Sequence, residues 1–323
     1  MPYNSIISRA NADALIPVDI VGEIVKNVVE QSAVMRLAKK LPNMSALQSR
    51  IPVMSLLPTA YFLNAGTSHT DTTKKQTTNM EWENVYINAE ELAVIVPIPQ
   101  AVLDDAEYDI WGEVRPALEE AFGAAFDAAV LFGTNAPTAW PVDLLAQIVA
   151  AGHDVVSGTG ADMYEDVMGV GGVIGLVEAD GFMHNGHIAH VSLRALLRGL
   201  RSAVEGIPLF VRSMQESSRY ELDGSPILFP MNGSMDAAQA LMFTGDWTKL
   251  VYSIRQDLTY KILDQAVIQD GTGAIVYNLA QQDMVALRAV MRIGWQLPNP
   301  ASRMNTDAAS RLPFAALVPA GGS

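Results

Sequence analysis

The sequence predicts an α+β fold, and three patterns along its 323 residues lead to this prediction. Residues 46–98 read as two long β-arms joined by a polar, Thr-rich tip. An apolar repeat of four residues after Asp109 predicts a helix of about 20 residues. From Pro141 onward, short helices and strands follow one another without a regular βαβ series, so a doubly wound parallel sheet is not expected.

Composition limits the class of protein. Half of the residues are hydrophobic and 17% are charged, which is typical of a chain with a packed core.

The sequence shows no signal for a membrane or for secretion. No apolar run reaches about 18 residues, so we expect no transmembrane helix, and the first residues do not resemble a secretory signal. The absence of cysteine excludes disulfides and thiol catalysis and favours synthesis in the cytosol. With a net charge of −14 and 21 basic residues scattered among 35 acidic ones, tight phosphate binding is not expected.

The N-terminal segment predicts an extended arm over about the first 16 residues and then a helix from Pro17 to about residue 41. Ile20, Ile24 and Val28 recur every four residues and give this helix an apolar face. The basic pair Lys39 and Lys40 lies near its predicted end, where positive charge is favourable.

The predicted hairpin, residues 46–98, has a return arm that alternates around Trp82 and then over residues 92–98. About 20 residues per arm, at 3.3 Å each, would reach roughly 60 Å. An isolated two-stranded ribbon is marginal in water, and its unpaired edges favour association. We therefore expect neighbouring copies of the same chain to support it.

The long helix is the strongest helical pattern in the chain. Asp109 is its predicted N-cap and Gly133 its predicted end. Its predicted core positions lie four residues apart: Ile110, Val114, Leu118, Phe122 and Phe126.

The remaining elements are assigned from shorter patterns. Residues 142–152, 161–181 and 192–206 predict helices, the last of them capped by Ser192, and residues 187–191 predict a strand. Residues 284–297 predict a long alternating strand with apolar residues on one face and Arg288 and Arg292 on the other. The C-terminal tail comprises residues 313–323, and its segment "ALVPAGGS", residues 316–323, is expected to be mobile.

Candidate chemistry is sparse. His184, His187 and His190 have a spacing that a metal site could use, but a strand would point His187 and His190 to opposite faces, and solvated loop histidines are the favoured interpretation. The segment "GVGGVIG" at 169–175 superficially resembles a phosphate loop, but it lacks the Lys-Ser/Thr pair, and close helix packing is favoured. The sequence contains no G-x-S-x-G, H-E-x-x-H or P-loop motif. We therefore predict no enzymatic activity, no metal and no cofactor.

Several motifs, in order and spacing, resemble the major capsid proteins of tailed bacteriophages, which have the HK97-type fold. They are "LIPVDIVGEIVKNVVEQSAVMRLAKKL", "RIPVMS", "LAVIVPIPQAVLDDAEYDIWGEV", "DAAVLFGT", "LMFTGDWTKLVYSIRQDLTYKI" and "ALRAVMRIGWQL". The resemblance covers about residues 16–312. It implies an N-arm with the first helix (1–45), an extended E-loop hairpin (46–98), a peripheral (P) domain with a spine helix (99–139), an axial (A) domain (140–245), returning P-domain strands (246–312) and a C-terminal tail (313–323).

The resemblance also implies a function. The chain is expected to assemble with itself, as hexamers and pentamers, into an icosahedral shell that encloses double-stranded DNA without sequence-specific binding. The expected location is the virion, after synthesis in the cytoplasm of a bacterial host, and no membrane is involved. The further partners expected are a portal protein, a scaffolding protein and decoration proteins. Many relatives begin with a scaffolding segment of roughly a hundred residues that a protease removes, whereas this sequence starts almost at the N-arm. Either the sequence is that of a mature form or the scaffolding protein is separate, and the initial Met1 favours the second alternative.

The tip of the E-loop is the expected contact with other subunits, through Asn64, His69, Lys74, Lys75 and Gln76. The two lysines could instead serve only the solubility of an exposed turn. Some relatives join an E-loop lysine to a P-domain asparagine by an isopeptide bond. Here Lys74 or Lys75 and Asn299 are the candidates, although their surroundings do not match the relatives' pattern clearly.

Two rival functions stay open at this point. An encapsulin-type nanocompartment would share the fold and hold cargo enzymes in place of DNA. An acidic metal-dependent enzyme would use the histidine set.

Overall fold

A computed structural model describes residues 32–62, 75, 77–105, 110–199 and 221–321. The helices are α1 (Ala33–Leu37), α2 (Gln100–Asp105), α3 (Ile110–Phe132), α4 (Leu144–Ala151), α5 (Met163–Met168), α6 (Val173–Ala179) and α7 (Val191–Gly199). The strands are β1 (Lys39–Lys40), β2 (Gln48–Leu56), β3 (Glu81–Asn88), β4 (Glu90–Pro99), β5 (Asp154–Val156), β6 (Gly186–Ala189), β7 (Glu221–Leu222), β8 (Ser225–Leu228), β9 (Met242–Gly245), β10 (Val251–Leu263), β11 (Val267–Gln269), β12 (Ile275–Asn278), β13 (Met284–Gln296) and β14 (Phe314–Val318).

The larger core is formed by α3, by a four-stranded sheet with the order β1-β10-β13-β4, and by residues of β6, β9 and β14 such as Ile188, Phe243 and Phe314. Strands β10 and β13 are antiparallel and 13 residues long, and they form the centre of this sheet. The long strand predicted at 284–297 therefore exists, but it is buried on both faces near its C-terminal end, where Gly294 and Trp295 are both inaccessible to solvent. The helix α3 ends as predicted at Gly133, whose φ is +67°.

The predicted hairpin is divided between two sheets. Strands β2 and β3 form a separate antiparallel ribbon, whereas β4 pairs with β13 in the four-stranded sheet. The return arm is therefore two strands that meet at Ala89, not one continuous arm. The physical reason is that Leu92, Val94 and Val96 of β4 pack against the larger core, whereas most of β3 is exposed.

A six-stranded sheet with the order β5-β14-β9-β6-β8-β7 carries the smaller core, together with α5, α6 and α7. Strand β14 is the second strand from one edge, parallel to β5 and antiparallel to β9. All five of its residues are buried, so the expectation of a mobile tail is wrong for residues 316–318. The apolar run "FAALV" is a core strand, and the glycines after it made the whole segment resemble a tail.

The first helix also differs from its prediction, of which residues 17–31 lie outside the described part of the chain. Ser32 has a ψ of 124° and is the N-cap of α1, so no single helix runs through this position. Residue Ala38 is extended, and Lys39 and Lys40 form β1, parallel to Val251 and Tyr252 of β10. The basic pair therefore belongs to a sheet edge and not to a helix end.

The structure differs from two further predictions in the region after residue 141. The helix predicted at 161–181 is two helices: residues 169–172 of the glycine-rich segment form the turn between α5 and α6, and Val173 begins α6. A Cβ atom on Gly172 would lie 2.7 Å from the carbonyl oxygen of Glu165. Gly172 thus permits a tight turn in which the start of α6 lies close to the backbone of α5. Ser192, the predicted cap, lies inside α7, which begins at Val191. The Ser192 amide donates to Nδ1 of His190 at 3.2 Å.

In the described part of the chain, no helix has the length and apolar character needed to cross a membrane.

Candidate assembly surfaces

The β2–β3 ribbon has two different faces. In its register, Met54 lies opposite Trp82, Pro52 opposite Asn84 and Arg50 opposite Tyr86. Because side chains alternate along a strand, these residues share one face and the neighbouring positions share the other. The first face therefore carries the aromatic rings of the ribbon.

Large apolar side chains on and near the ribbon are exposed. Trp82 is 62% exposed and Tyr86 is 44% exposed, and Phe62, in the chain that follows β2, is 90% exposed. Aromatic rings are enriched where proteins bind each other, since they bury a large area with few rotatable bonds. The ribbon is thus suited to contact with another protein surface.

The base of the ribbon is held tightly against the body. Ile87 is fully buried and Ala89 almost so, in a small cluster with Met44 and Val251. A Cβ atom on Gly294 of β13 would lie 2.3 Å from the carbonyl oxygen of Asn88. Only glycine at this position lets the end of β3 cross the sheet so closely.

Polar contacts fix the direction in which the ribbon leaves the body. The indole Nε1 of Trp140 donates to the carbonyl oxygen of Asn88 at 3.1 Å, and the Asn88 amide donates to the carbonyl oxygen of Ala139 at 2.7 Å. The amide of Gln296 donates to the carbonyl oxygen of Tyr86 at 3.0 Å. The base of the ribbon is therefore rigid while its far end extends into solvent.

A second anchor joins the N-terminal segment to α3, and sequence reasoning missed it. The carboxylate of Asp127 is fully buried and accepts hydrogen bonds from the Ser32 hydroxyl, from the Ala33 amide at 2.8 Å and from the Val34 amide at 3.2 Å. These amides are free donors at the start of α1. Burial raises the pKa of Asp127 from 3.8 to about 6, although the three hydrogen bonds act in the opposite direction. The signal in the sequence was a single carboxylate within the apolar run "AFGAAFDAAVLF".

The predicted core residues of α3 are buried to different degrees. Leu118, Phe122 and Phe126 are buried in the larger core, and Val114 is partly buried and packs against it. Ile110 is half-buried at the start of the helix. The helix thus enters the core progressively from its N-terminus.

Most of the predicted tip residues lie outside the described part of the chain: Asn64, His69, Lys74 and Gln76. Lys75 is described and exposed. Asn299, the other candidate for a covalent link, is half-buried, and its amide donates to the carbonyl oxygen of Arg311 at 2.5 Å and accepts from Nε of Arg311 at 3.1 Å. Its side chain therefore already has a structural role.

The three histidines are not all solvated. His187 is fully buried on β6; its Nε2 lies 3.2 Å from the carbonyl oxygen of Leu222, and its Nδ1 contacts the hydroxyl of Thr244. Burial lowers the pKa of His187 to about 4, with a further contribution from His184. His184 is also buried, whereas His190 is half-buried with Nδ1 2.8 Å from the hydroxyl of Ser192. The interpretation as loop histidines in solvent is wrong for the first two.

The model of the phage capsid family matches residues 12–303, which is most of the chain. The chain belongs to the phage capsid family. A relative within the family, the major capsid protein of Staphylococcus phage 80alpha, is 27% identical over 98% of this chain and 89% of that protein.

Solved structures agree with this family. A chain from Microbacterium phage Oxtober96 superposes with a TM-score of 0.83 at 34% identity, over 98% of this chain and 100% of that one. A chain from Mycobacterium phage Bobi gives 0.81 at 30% identity, over 98% and 100%. The capsid of a native GTA particle, at 20% identity and a TM-score of 0.66, over 99% of this chain and 100% of that one, shares the fold. The predicted α+β class and HK97-type capsid fold are confirmed, and the chain is a major capsid protein of the tailed-phage type and a component of the virion.

Proposed function

We propose that copies of this chain assemble as hexamers and pentamers into an icosahedral shell that encloses double-stranded phage DNA. The observation that carries the proposal is the β2–β3 ribbon, which is fixed at its base by Gly294 and Trp140 and exposes the rings of Tyr86 near the base and of Trp82 farther out. A rigid base with an exposed aromatic end is an arrangement for contact with a neighbouring subunit. The domain boundaries given above for the N-arm, E-loop, P domain and A domain belong to the same proposal.

The negative net charge of the chain supports a shell that encloses DNA without binding it tightly. Affinity for DNA depends on clustered Lys and Arg that neutralise phosphates, whereas this chain carries a net charge of −14. An inner wall of this kind lets DNA enter and leave. Purified capsomers should accordingly show no strong, salt-sensitive binding to duplex DNA.

Assembly in a host requires further proteins, and we include them in the proposal. A portal protein would provide the opening for DNA, a separate scaffolding protein would guide shell closure, and decoration proteins would bind the outside. Synthesis in the host cytoplasm fits a chain without cysteine. The tip residues of the E-loop, from Asn64 to Gln76, are the proposed contacts with the neighbouring copy.

Electron microscopy of the expressed full chain tests the proposal. We expect closed particles with five-fold vertices, and nuclease-protected duplex DNA in particles isolated from infected cells. A protein that stays monomeric at high concentration would contradict the assembly proposal. Particles filled with protein cargo and free of DNA would instead favour the nanocompartment.

A further inference from the structure

A buried histidine lies beside two carboxylates on the six-stranded sheet. Its partners are Glu178, in the last turn of α6, and Asp223, in the turn between β7 and β8. One ligand atom from each of Glu178, His184 and Asp223 lies within 4.8 Å of the other two. Glu178 and His184 lie close in sequence, and Asp223 comes from a later turn, so the fold places one nitrogen and two oxygen donors together.

The imidazole of His184 lacks the hydrogen bonds that a buried ring needs. Its side chain is 4% exposed, and neither Nδ1 nor Nε2 has a hydrogen-bond partner among the residues that the structure describes. Nε2 lies 3.4 Å from Oδ2 of Asp223, a distance suited to an ion pair only if the histidine is protonated. A buried polar group without a partner costs about 1–3 kcal/mol, so this ring points to a ligand that the protein chain does not supply.

The residues around His184 close one side of its ring and leave the other side open. Asp223 has a φ of +46°, a conformation that Asp adopts more readily than most residues, and it directs a carboxylate from a two-residue turn. The ring of His187 lies beside that of His184, tilted by 38° with centroids 5.2 Å apart, and closes the inner side. Glu178 and Asp223 are exposed, so the outer side is open to solvent.

We propose that Glu178, His184 and Asp223 bind a divalent transition-metal cation of the Zn²⁺ class. Zn²⁺ accepts both imidazole nitrogen and carboxylate oxygen, at about 2.0–2.2 Å, whereas Ca²⁺ and Mg²⁺ prefer oxygen donors throughout. Donor atoms in a Zn²⁺ tetrahedron lie roughly 3.3 Å apart, so small rotations of the two exposed carboxylates bring the three donors into range. A fourth position remains for water.

The bound cation would join α6, the loop before β6 and the β7–β8 turn. These segments surround the smaller core, which includes Val177, Leu222 and Ile227. A metal that binds only the folded arrangement stabilises it in proportion to its free concentration. The cation would therefore stabilise the six-stranded sheet, and it would take no part in the contacts of the ribbon.

Zn²⁺ titration of the full-length protein, after treatment with EDTA, tests the site. We expect about one Zn²⁺ per chain by calorimetry and a rise in Tm that EDTA reverses. Glu178→Gln and Asp223→Asn change exposed side chains without a change of shape, so both variants should fold. Loss of a direct ligand should weaken binding by about 100-fold or more, because even outer-shell partners contribute roughly 10- to 100-fold.

The matched control is His190→Ala, which removes a histidine of the same segment that lies outside the cluster. It should bind Zn²⁺ as the unmodified protein does. His184→Ala completes the series, with circular dichroism to confirm its fold. Equal binding by the Glu178, Asp223 and His190 variants, or no binding by the unmodified protein, would overturn the proposal. Shell assembly is measured separately and does not depend on either result.

Discussion

The hydroxyl of Ser32 donates a hydrogen bond to the carboxylate of Asp127, across 95 residues of sequence. The same hydroxyl accepts from the Met35 amide at 3.0 Å, so Ser32 caps α1 and also ties it to α3. Asp127 in turn accepts the first two amides of α1. A carboxylate on the long helix thus fixes the point at which the N-terminal segment joins the body.

The stability of the fold should depend on pH through Asp127. Its pKa in the folded protein, about 6, is above its ordinary value of 3.8, so the folded state holds this proton more tightly than the unfolded state does. Its contribution to the free energy of unfolding is therefore fully present below about pH 4 and is lost as the pH rises through 6. The size is on the order of 3 kcal/mol.

Urea unfolding of the unassembled protein and of Asp127→Asn, at pH values from 4 to 7.5, measures this contribution. The stability of the unmodified protein relative to the variant should rise as the pH is lowered through 6. Ser32→Ala, which keeps the carboxylate, serves as the control and should retain a pH dependence. A difference between the Asn variant and the unmodified protein that is constant with pH would refute the assignment.

Gly123 is the second feature that lets α1 approach α3. It lies one turn before Asp127, and a Cβ atom there would be 3.0 Å from the backbone nitrogen of Ser32. Gly123→Ala gains up to about 1 kcal/mol of helix propensity, but overpacking against a backbone atom costs about 1–3 kcal/mol. We expect a net loss of stability of roughly 1 kcal/mol in urea unfolding.

Gly112→Ala is the matched control for this substitution. Gly112 lies in the same helix and is exposed, so the added methyl group should leave stability unchanged or raise it. If both alanine variants were equally stabilised, the close approach of Ser32 would not limit this position.

Local periodicity predicted the elements whose burial follows one simple pattern. The four-residue repeat of α3 and the alternation of β13 depend on neighbouring residues, so the sequence shows them directly. The division of the hairpin at Ala89 depends on whether β4 pairs with β2 or with β13, nearly 200 residues away. Periodicity carries no information about the partner of a strand, so this division was missed.

The candidate sites show the same difference between local and distant contacts. The strand that carries Trp82 follows from alternation along neighbouring residues. In contrast, the pairing of Ser32 with Asp127, and of His184 with Asp223, arises only when distant segments fold together. A polar residue in an apolar run marks such a position, but it does not identify the partner.

The C-terminal strand should be essential to the fold, contrary to the mobile tail that its sequence suggested. Phe314 and Leu317 are fully buried between β5 and β9. Loss of one buried Phe side chain costs about 3–5 kcal/mol, a large part of the stability of a domain. Deletion of residues 314–323 should therefore prevent folding, as shown by loss of soluble protein and of protease resistance.

Deletion of residues 320–323 provides the comparison. Ala320 and Gly321 are exposed and follow the last residue of β14. This shorter deletion should leave Tm within a few degrees of the full chain. Equal behaviour of the two truncated proteins would contradict the core position of β14.

Asn299 should act through Arg311 and not through a covalent link to Lys75. Arg311 is 2% exposed, and its Nε donates to Oδ1 of Asn299 at 3.1 Å. Asn299→Ala removes this acceptor and should lower the free energy of unfolding by about 1–3 kcal/mol. Asn299→Asp keeps an acceptor, so its free energy of unfolding should be closer to that of the unmodified protein.

A denaturing gel of boiled particles tests the covalent link. The unmodified protein and both Asn299 variants should each run as one monomer band. A ladder of larger bands from the unmodified protein that both substitutions abolish would establish the cross-link.

Trp82 provides the sharpest test of the ribbon as an assembly surface. Because its side chain is 62% exposed on the single chain, Trp82→Ala should change the free energy of unfolding of unassembled protein by less than about 0.5 kcal/mol. An aromatic ring buried at an interface contributes about 2 kcal/mol or more, so the same substitution should weaken subunit association roughly 30-fold.

Sedimentation velocity at several protein concentrations measures the assembled fraction of Trp82→Ala and of the unmodified protein. Val170→Ala, at a 99% exposed apolar residue outside the ribbon, is the control and should assemble normally. If Trp82→Ala assembled as well as this control, the aromatic face of the ribbon would not be a subunit contact.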